Sequence, residues 1–221
     1  MKMKAKPFII LLFTLAVSVV RSQIIVTTPY EFSGGVSIGT TFSSVTFNPK
    51  VQQATLMGAT LGLTGRMTMG ENVGLQAELN YSQQGWDEFY EDYPELKYSR
   101  RLDYIQMPLY THVQFGGKTV KGFINAGPQI GFMIGESTKN QLNGEKPGRV
   151  NEQHDMPVEK KFEWGISGGI GIEIRTGIGY FTLEGRYLYS LGDIYKTESK
   201  NYFAKASGQT IMTKISYLIP F

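Results

Sequence analysis

From Gln23 onward, apolar side chains recur at every second position in segments of about eleven residues, and no stretch of useful length carries the 3.6-residue period of an amphipathic helix. Eight segments fit the pattern of two-faced strands: Phe32 to Phe42, Ala59 to Met69, Val73 to Gln83, Leu102 to Phe115, Phe123 to Ile134, Trp164 to Arg175, Phe181 to Leu191 and Gln209 to Phe221. In the third, Val73, Leu75, Ala77, Leu79 and Tyr81 share one face, and Gly74, Gln76, Glu78, Asn80 and Ser82 share the other. The links after the second, fourth and sixth strands are short, and the others are long. Short turns at one end and long loops at the other, with an even strand number, predict an all-β fold: an eight-stranded antiparallel up-and-down transmembrane β-barrel. Eleven residues rising about 3.3 Å each and tilted about 40° cover roughly 28 Å, the height of the apolar belt of such barrels.

Alternation alone leaves a soluble barrel open, one with its apolar face turned inward around a ligand. Two features favour the opposite orientation. Nine strand glycines lie on the polar face (Gly35, Gly39, Gly62, Gly74, Gly127, Gly131, Gly165, Gly169, Gly171) and four on the apolar face (Gly34, Gly65, Gly168, Gly185). Glycine weakens a strand and does nothing for a solvated surface, so its excess fits a crowded interior. The polar face also carries Arg66, Glu78, His112, Glu173, Arg175, Glu184, Arg186 and Lys214, a set whose opposite charges can pair in a narrow lumen. The apolar face carries one charge, Asp103, near a strand end. Arg or Lys on a lipid face costs about 2 to 4 kcal/mol at the bilayer midplane, which explains that bias. Aromatics near strand ends, among them Phe42, Phe115, Trp164, Phe181, Tyr187 and Phe221, are expected to form interfacial girdles. The sheet must then close, the last strand pairing with the first, with β-bulges expected at Pro108 and Pro128.

The first residues read differently. Lys2, Lys4 and Lys6 precede an uncharged apolar run, Phe8 to Val20, followed by Arg21 and Ser22. Thirteen residues fall short of the roughly 20 that span a bilayer as a helix, so residues 1–22 are expected to be a cleaved signal peptide and 23–221 the barrel domain. Removing Lys2, Lys4, Lys6 and Arg21 takes the basic count from 22 to 18 against 19 acids, a balance of −1, which removes the charge argument for a nucleic-acid partner, and none is expected. Without cysteine there is neither a disulfide framework nor a thiolate nucleophile.

Several stretches taken together resemble the PorT-like outer-membrane β-barrels common in Bacteroidetes: AELNYSQQG (Ala77 to Gly85), YIQMPLY (Tyr104 to Tyr110), NAGPQIGF (Asn125 to Phe132), GISGGIGIE (Gly165 to Glu173) and LEGRYLYSLGDI (Leu183 to Ile194). The resemblance covers most of the chain after residue 22. It implies an eight-stranded barrel in the bacterial outer membrane, in contact with lipid and lipopolysaccharide. It also implies that the terminal Phe221 looks like the signal read by the barrel-assembly machinery.

Candidate chemistry is sparse. His112 on the lumen face could act as a base toward Ser167 or Ser216 in a lipid-modifying enzyme, but a structural place in a polar network is the better-founded expectation. His154, with Glu152 and Asp155, is a thin metal motif within a long loop. The glycines of Gly165 to Glu173 lack the following helix that a dinucleotide loop requires. No catalytic, metal or cofactor residue is therefore assigned. The segment Trp86 to Arg101 interleaves aromatics with acids: Trp86, Asp87, Glu88, Phe89, Tyr90, Glu91, Asp92 and Tyr93 are expected as a surface loop. That loop would either contact an envelope protein or extend the outer girdle, its acids solvated or bridged to lipopolysaccharide by divalent cations. The expected role is structural or interactive and non-enzymatic, with a narrow solute or ion channel as the alternative and a lipid-modifying enzyme behind it.

Overall fold

A computed structural model describes residues 30–90, 92–147, 150–195 and 202–221; the expected signal peptide and Glu91 lie outside them. Eight strands, β1 (Tyr30–Asn48), β2 (Leu56–Met69), β3 (Val73–Phe89), β4 (Lys97–Gly116), β5 (Val120–Asn140), β6 (Phe162–Thr176), β7 (Gly179–Asp193) and β8 (Lys205–Pro220), pair antiparallel in chain order. The ring closes where β8 meets β1, with Ile215 opposite Ile38 and Lys214 opposite Gly39. Closure satisfies the ladder on both sides of every strand, so no edge is left along the belt.

The apolar face is the outside. Val36, Ile38, Leu61, Leu63, Leu79, Leu109, Ile130, Ile170, Leu183 and Ile215 are all exposed, while their polar neighbours in the same strands are buried. A continuous apolar belt of this extent has no stable place in water. The interior glycines show why bulk is excluded inside. A Cβ at Gly35 would lie 1.9 Å from the Tyr217 carbonyl oxygen, whereas one at outward Gly65 would meet nothing within 4 Å.

Two expectations need correction. The strands are longer than eleven residues, from 14 in β2 to 21 in β5, and the extra length lies at the long-loop end. There the polarity of the two faces exchanges: along β4, Leu102 and Tyr98 are buried inside while Asp103, Arg101, Ser99 and Lys97 face out. Above the belt the outside is water and the inside becomes an ordinary apolar core, so a search for one constant phase of alternation stops short. Pro108 and Pro128 do not create bulges. Pro108 pairs with Gln129 and Thr111 with Ala126 in unbroken register, and the irregularity of the β4–β5 ladder falls instead between Asp103 and Tyr104. Proline removes one donor from one neighbour, which costs a rung without displacing the frame. The shift at Asp103 leaves Ile134 outside the pairing and turns Glu136 inward, opposite Leu102.

Candidate functional site

The interior has two storeys, built by the same inward positions at different heights. In the lower one, Glu78 on β3 accepts from Arg186 at 2.8 and 2.9 Å and from Lys214 at 2.7 Å, so one carboxylate ties β3 to β7 and β8. Arg186 also binds Glu184 at 2.8 Å and lies over the Tyr110 ring, 4.5 Å from its centroid. Gln76 relays between the clusters: its amide donates to Glu78 at 2.6 Å, and its oxygen accepts from Arg66 at 2.8 Å. Arg66 pairs with Glu173, which is also bound by Arg175 at 2.8 Å. The eight polar-face residues singled out in the sequence thus fall into one connected band, with Arg175 nearest the short-turn mouth and His112 joined through Asn125. Each of the seven charged side chains is held by more than one partner, the condition under which buried ions are tolerated, whereas the buried His112 Nε2 has no hydrogen-bond partner among the described residues.

His112 is fully buried, its Nδ1 2.8 Å from Asn125 Oδ1; Asn125 in turn donates to Glu184 at 3.0 Å. Ser167 accepts from Tyr110 at 2.9 Å, and among the described residues no hydrogen bond joins His112 to Ser167 or Ser216. The nucleophile–base contact that hydrolytic chemistry needs is not formed there. Glu163, which the shorter reading of β6 missed, sits inside between Ser190 and Gln106, each 2.7 Å away.

The upper storey is an apolar core of Val45, Phe47, Trp86, Leu102, Tyr195 and Phe203 with their neighbours, to which described residues of all four long connections contribute. Phe47 packs edge-on against Trp86, with centroids 5.2 Å apart. Two charged groups fasten the longest connection over it. Glu88 accepts from Trp86 Nε1 at 3.0 Å, Tyr90 Oη at 2.6 Å, Gln153 Nε2 at 3.0 Å and His154 Nε2 at 2.7 Å. A carboxylate only accepts, so His154 carries its proton on Nε2. Arg100 donates to the carbonyls of Gln153 and Met156, at 3.0 and 2.7 Å, and to Glu136 at 2.6 Å. The short 3-10 turn Glu152–His154 is thereby held from both sides.

This overturns the picture of Trp86 to Tyr93 as one exposed loop. Trp86 to Phe89 continue β3, and Trp86, Glu88 and Tyr90 are buried; among the described residues of the stretch, Asp87, Phe89, Asp92 and Tyr93 look outward. The physical reason is the exchange of faces above the belt, which makes an alternating aromatic–acid string an inside–outside pattern. Burial and the Glu88 carboxylate push the Tyr90 hydroxyl pKa up, and burial does the same for Tyr195. Backbone hydrogen bonds at the start of the 3-10 turn lower that of Glu152. Glu152 and Asp155 do not join His154 in a ligand set, and no group of three metal-ligating side chains occurs among the described residues.

A family model described as "Outer membrane protein beta-barrel domain" matches residues 22–196. Among solved structures, the chain is similar to the outer membrane protein OprG from Pseudomonas aeruginosa (12% identity, 87% of this chain and 95% of that one, TM-score 0.48). It is also similar to Ail, the attachment invasion locus protein of Yersinia pestis (13%, 86% and 99%, 0.44), and to the outer membrane enzyme PagL (14%, 84% and 99%, 0.43). No curated protein matches the chain.

Proposed function

The chain belongs to the outer membrane protein beta-barrel domain family, and from that premise we propose that it is a non-enzymatic outer-membrane barrel with a structural or protein-interaction role, acting through the rigid cap formed by its long connections. The observation that carries this reading is the filled interior: an ion-pair band below, and above it an apolar core closed by the clasp of Glu88 and Arg100 on the 141–161 connection. An eight-stranded barrel has an interior that side chains can fill, so the surface is what remains for function. The outward residues of the cap, Asp92 and Tyr93 among them, are the contact surface for an envelope protein. In the same reading residues 1–22 direct export, Phe221 is the mark for the assembly machinery, and the resemblance carried by the motifs from Ala77 to Ile194 supports kinship with the PorT-like barrels.

The test is photo-crosslinking from position 93 in producing cells, together with planar-bilayer recording of the refolded protein. A discrete crosslinked envelope protein and no steady conductance are the expected results. Unitary conductance would favour the channel reading, and no crosslink from any cap position would remove the interaction role.

A further inference from the structure

At the long-loop end β3, β4 and β5 stay paired with one another beyond their last rungs with β2 and β6, and the two edges of this projection differ. The β3 edge is covered by the connection before β2, whose Ala54 N–H donates to the Asp87 carbonyl at 2.7 Å. The β5 edge is bare. Its last rung with β6 pairs Phe132 with Phe162, after which the Met133 N–H reaches the Lys161 carbonyl at 2.8 Å. Lys160 then turns away, its N–H donating to the Ile194 carbonyl at 3.2 Å. β5 runs on to Asn140 against β4 alone, and every residue from Glu136 to Asn140 is exposed. The Gln141 N–H donates to the Lys97 carbonyl at 2.9 Å, which fixes the phase of this ladder. Lys139, Ser137 and Gly135 exchange bonds with β4, and the N–H and C=O of Glu136, Thr138 and Asn140 point to the empty side. None of these groups meets a partner strand among the described residues. From Gln141 the connection leaves toward the β3–β4 link, where Asn143, Glu145 and Lys146 line a groove with Tyr93, Glu95 and Leu96.

We propose that this edge takes up an extended, acid-bearing segment of another protein as an added strand, antiparallel to β5 and in the lane above the start of β6. Main-chain groups in register with no neighbour are a template for strand addition, and an extended backbone supplies acceptors and donors at their spacing. Lys161 closes the lane from below, so it holds about five to seven residues at roughly 3.3 Å each. Side chains set the preference. On the outward face Lys139 lies at the edge, so an acid directly opposite it is favoured. On the inward face Glu136 is already held by Arg100 at 2.6 Å, and Thr138 and Asn140 are uncharged, so a small β-former such as threonine fits and an acid does not. A second copy in the same membrane is excluded by geometry. Two such edges running the same way would be related by a twofold axis along the strand, which at a tilt of about 40° sets the barrel axes about 80° apart; antiparallel edges would invert one barrel. The inference rests on the interaction role proposed above and on the long connections facing outward.

The probe is a fluorescent heptapeptide of alternating threonine and glutamate, titrated against the refolded full chain in detergent micelles, with amide exchange read at Glu136, Thr138 and Asn140. Binding is expected to protect those amides. Methylating the peptide's threonine nitrogens, which face β5 when its glutamates point outward, should weaken binding at least tenfold; methylating the glutamate nitrogens should not. Thr138→Pro removes an edge N–H that bonds nothing in β4, and should weaken binding at least tenfold while keeping the gel shift on boiling that marks a closed barrel. Lys139→Glu should move the preference toward a threonine–lysine peptide. Unprotected amides, equal effects of the two methylations, wild-type binding by Thr138→Pro or an unmoved preference in Lys139→Glu would each overturn the proposal. Failure of the interaction role is read separately, by photo-crosslinking from position 93 in cells. No crosslinked envelope protein in the wild type sinks that role whatever the micelle result, whereas a crosslink that persists in Thr138→Pro keeps the role and removes strand addition.

Discussion

Glu88 on β3 and His154 in the 141–161 connection meet at 2.7 Å across 66 residues of chain, both nearly buried, and that contact locks the cap onto the barrel. Glu88 also holds Trp86, Tyr90 and Gln153. Replacing it with alanine orphans four buried donors at about 1 to 3 kcal/mol each, an upper bound because the cap can relax toward water. Glu88→Ala is expected to make the 141–161 connection sensitive to protease while the boiling-dependent gel shift persists. Glu88→Gln, which keeps one acceptor oxygen, should show a smaller effect. Equal protease resistance in all three proteins would mean that the clasp does not hold the cap.

In the lower storey, Arg186→Met should destabilise the barrel by about 3 to 5 kcal/mol, since it leaves Glu78 and Glu184 facing each other without their shared cation. The double change Glu78→Gln/Lys214→Gln should cost less than the sum of its single changes, because each single change strands a buried charge. Urea unfolding in lipid vesicles measures both; additivity would show that the band is a set of independent contacts.

Tyr90 and Tyr195 give the cap an alkaline limit. Their hydroxyl pKa values are raised in the folded protein. The stability they contribute is therefore complete below the unfolded value of about 10 and is lost as pH rises toward the folded values, by about 1.4 kcal/mol per pH unit for each tyrosine. Tyrosinate absorbance should show a fraction that titrates only when the cap opens, and that fraction should shrink in Tyr195→Phe. Complete titration with a midpoint near 10 in the intact protein would refute this.

Gly35→Val and Gly65→Val place the same side chain on opposite faces of neighbouring strands. The first has no room, with backbone oxygen 1.9 Å from the new Cβ, and should block assembly; the second enters open space on the lipid side and should be neutral or mildly stabilising. The yield of heat-modifiable protein in outer membranes distinguishes them, and equal yields would contradict the face assignment.

Much of the lower barrel was legible along the chain because lipid imposes a strict alternation. Ile211, Ile215 and Ile219 face out, and Lys214 lies inside because a lone ammonium cannot face hydrocarbon. The strand number, the closure of β8 on β1 and the membership of the ion-pair band all follow from that rule applied locally. The network's connectivity did not, since Glu78 meets Lys214 across 136 residues of sequence. Nor did the cap: Trp86, Glu88, Tyr98 and Arg100 are polar or aromatic residues whose direction depends on whether water or lipid lies outside their strand at that height. The sequence by itself determined the repeating unit and its apolar outer face, because a period of two is a property of the single strand. Only the tertiary structure decided where the faces exchange and which charges meet, because the height of a residue above the belt and its partner across the lumen exist only once the ring is closed.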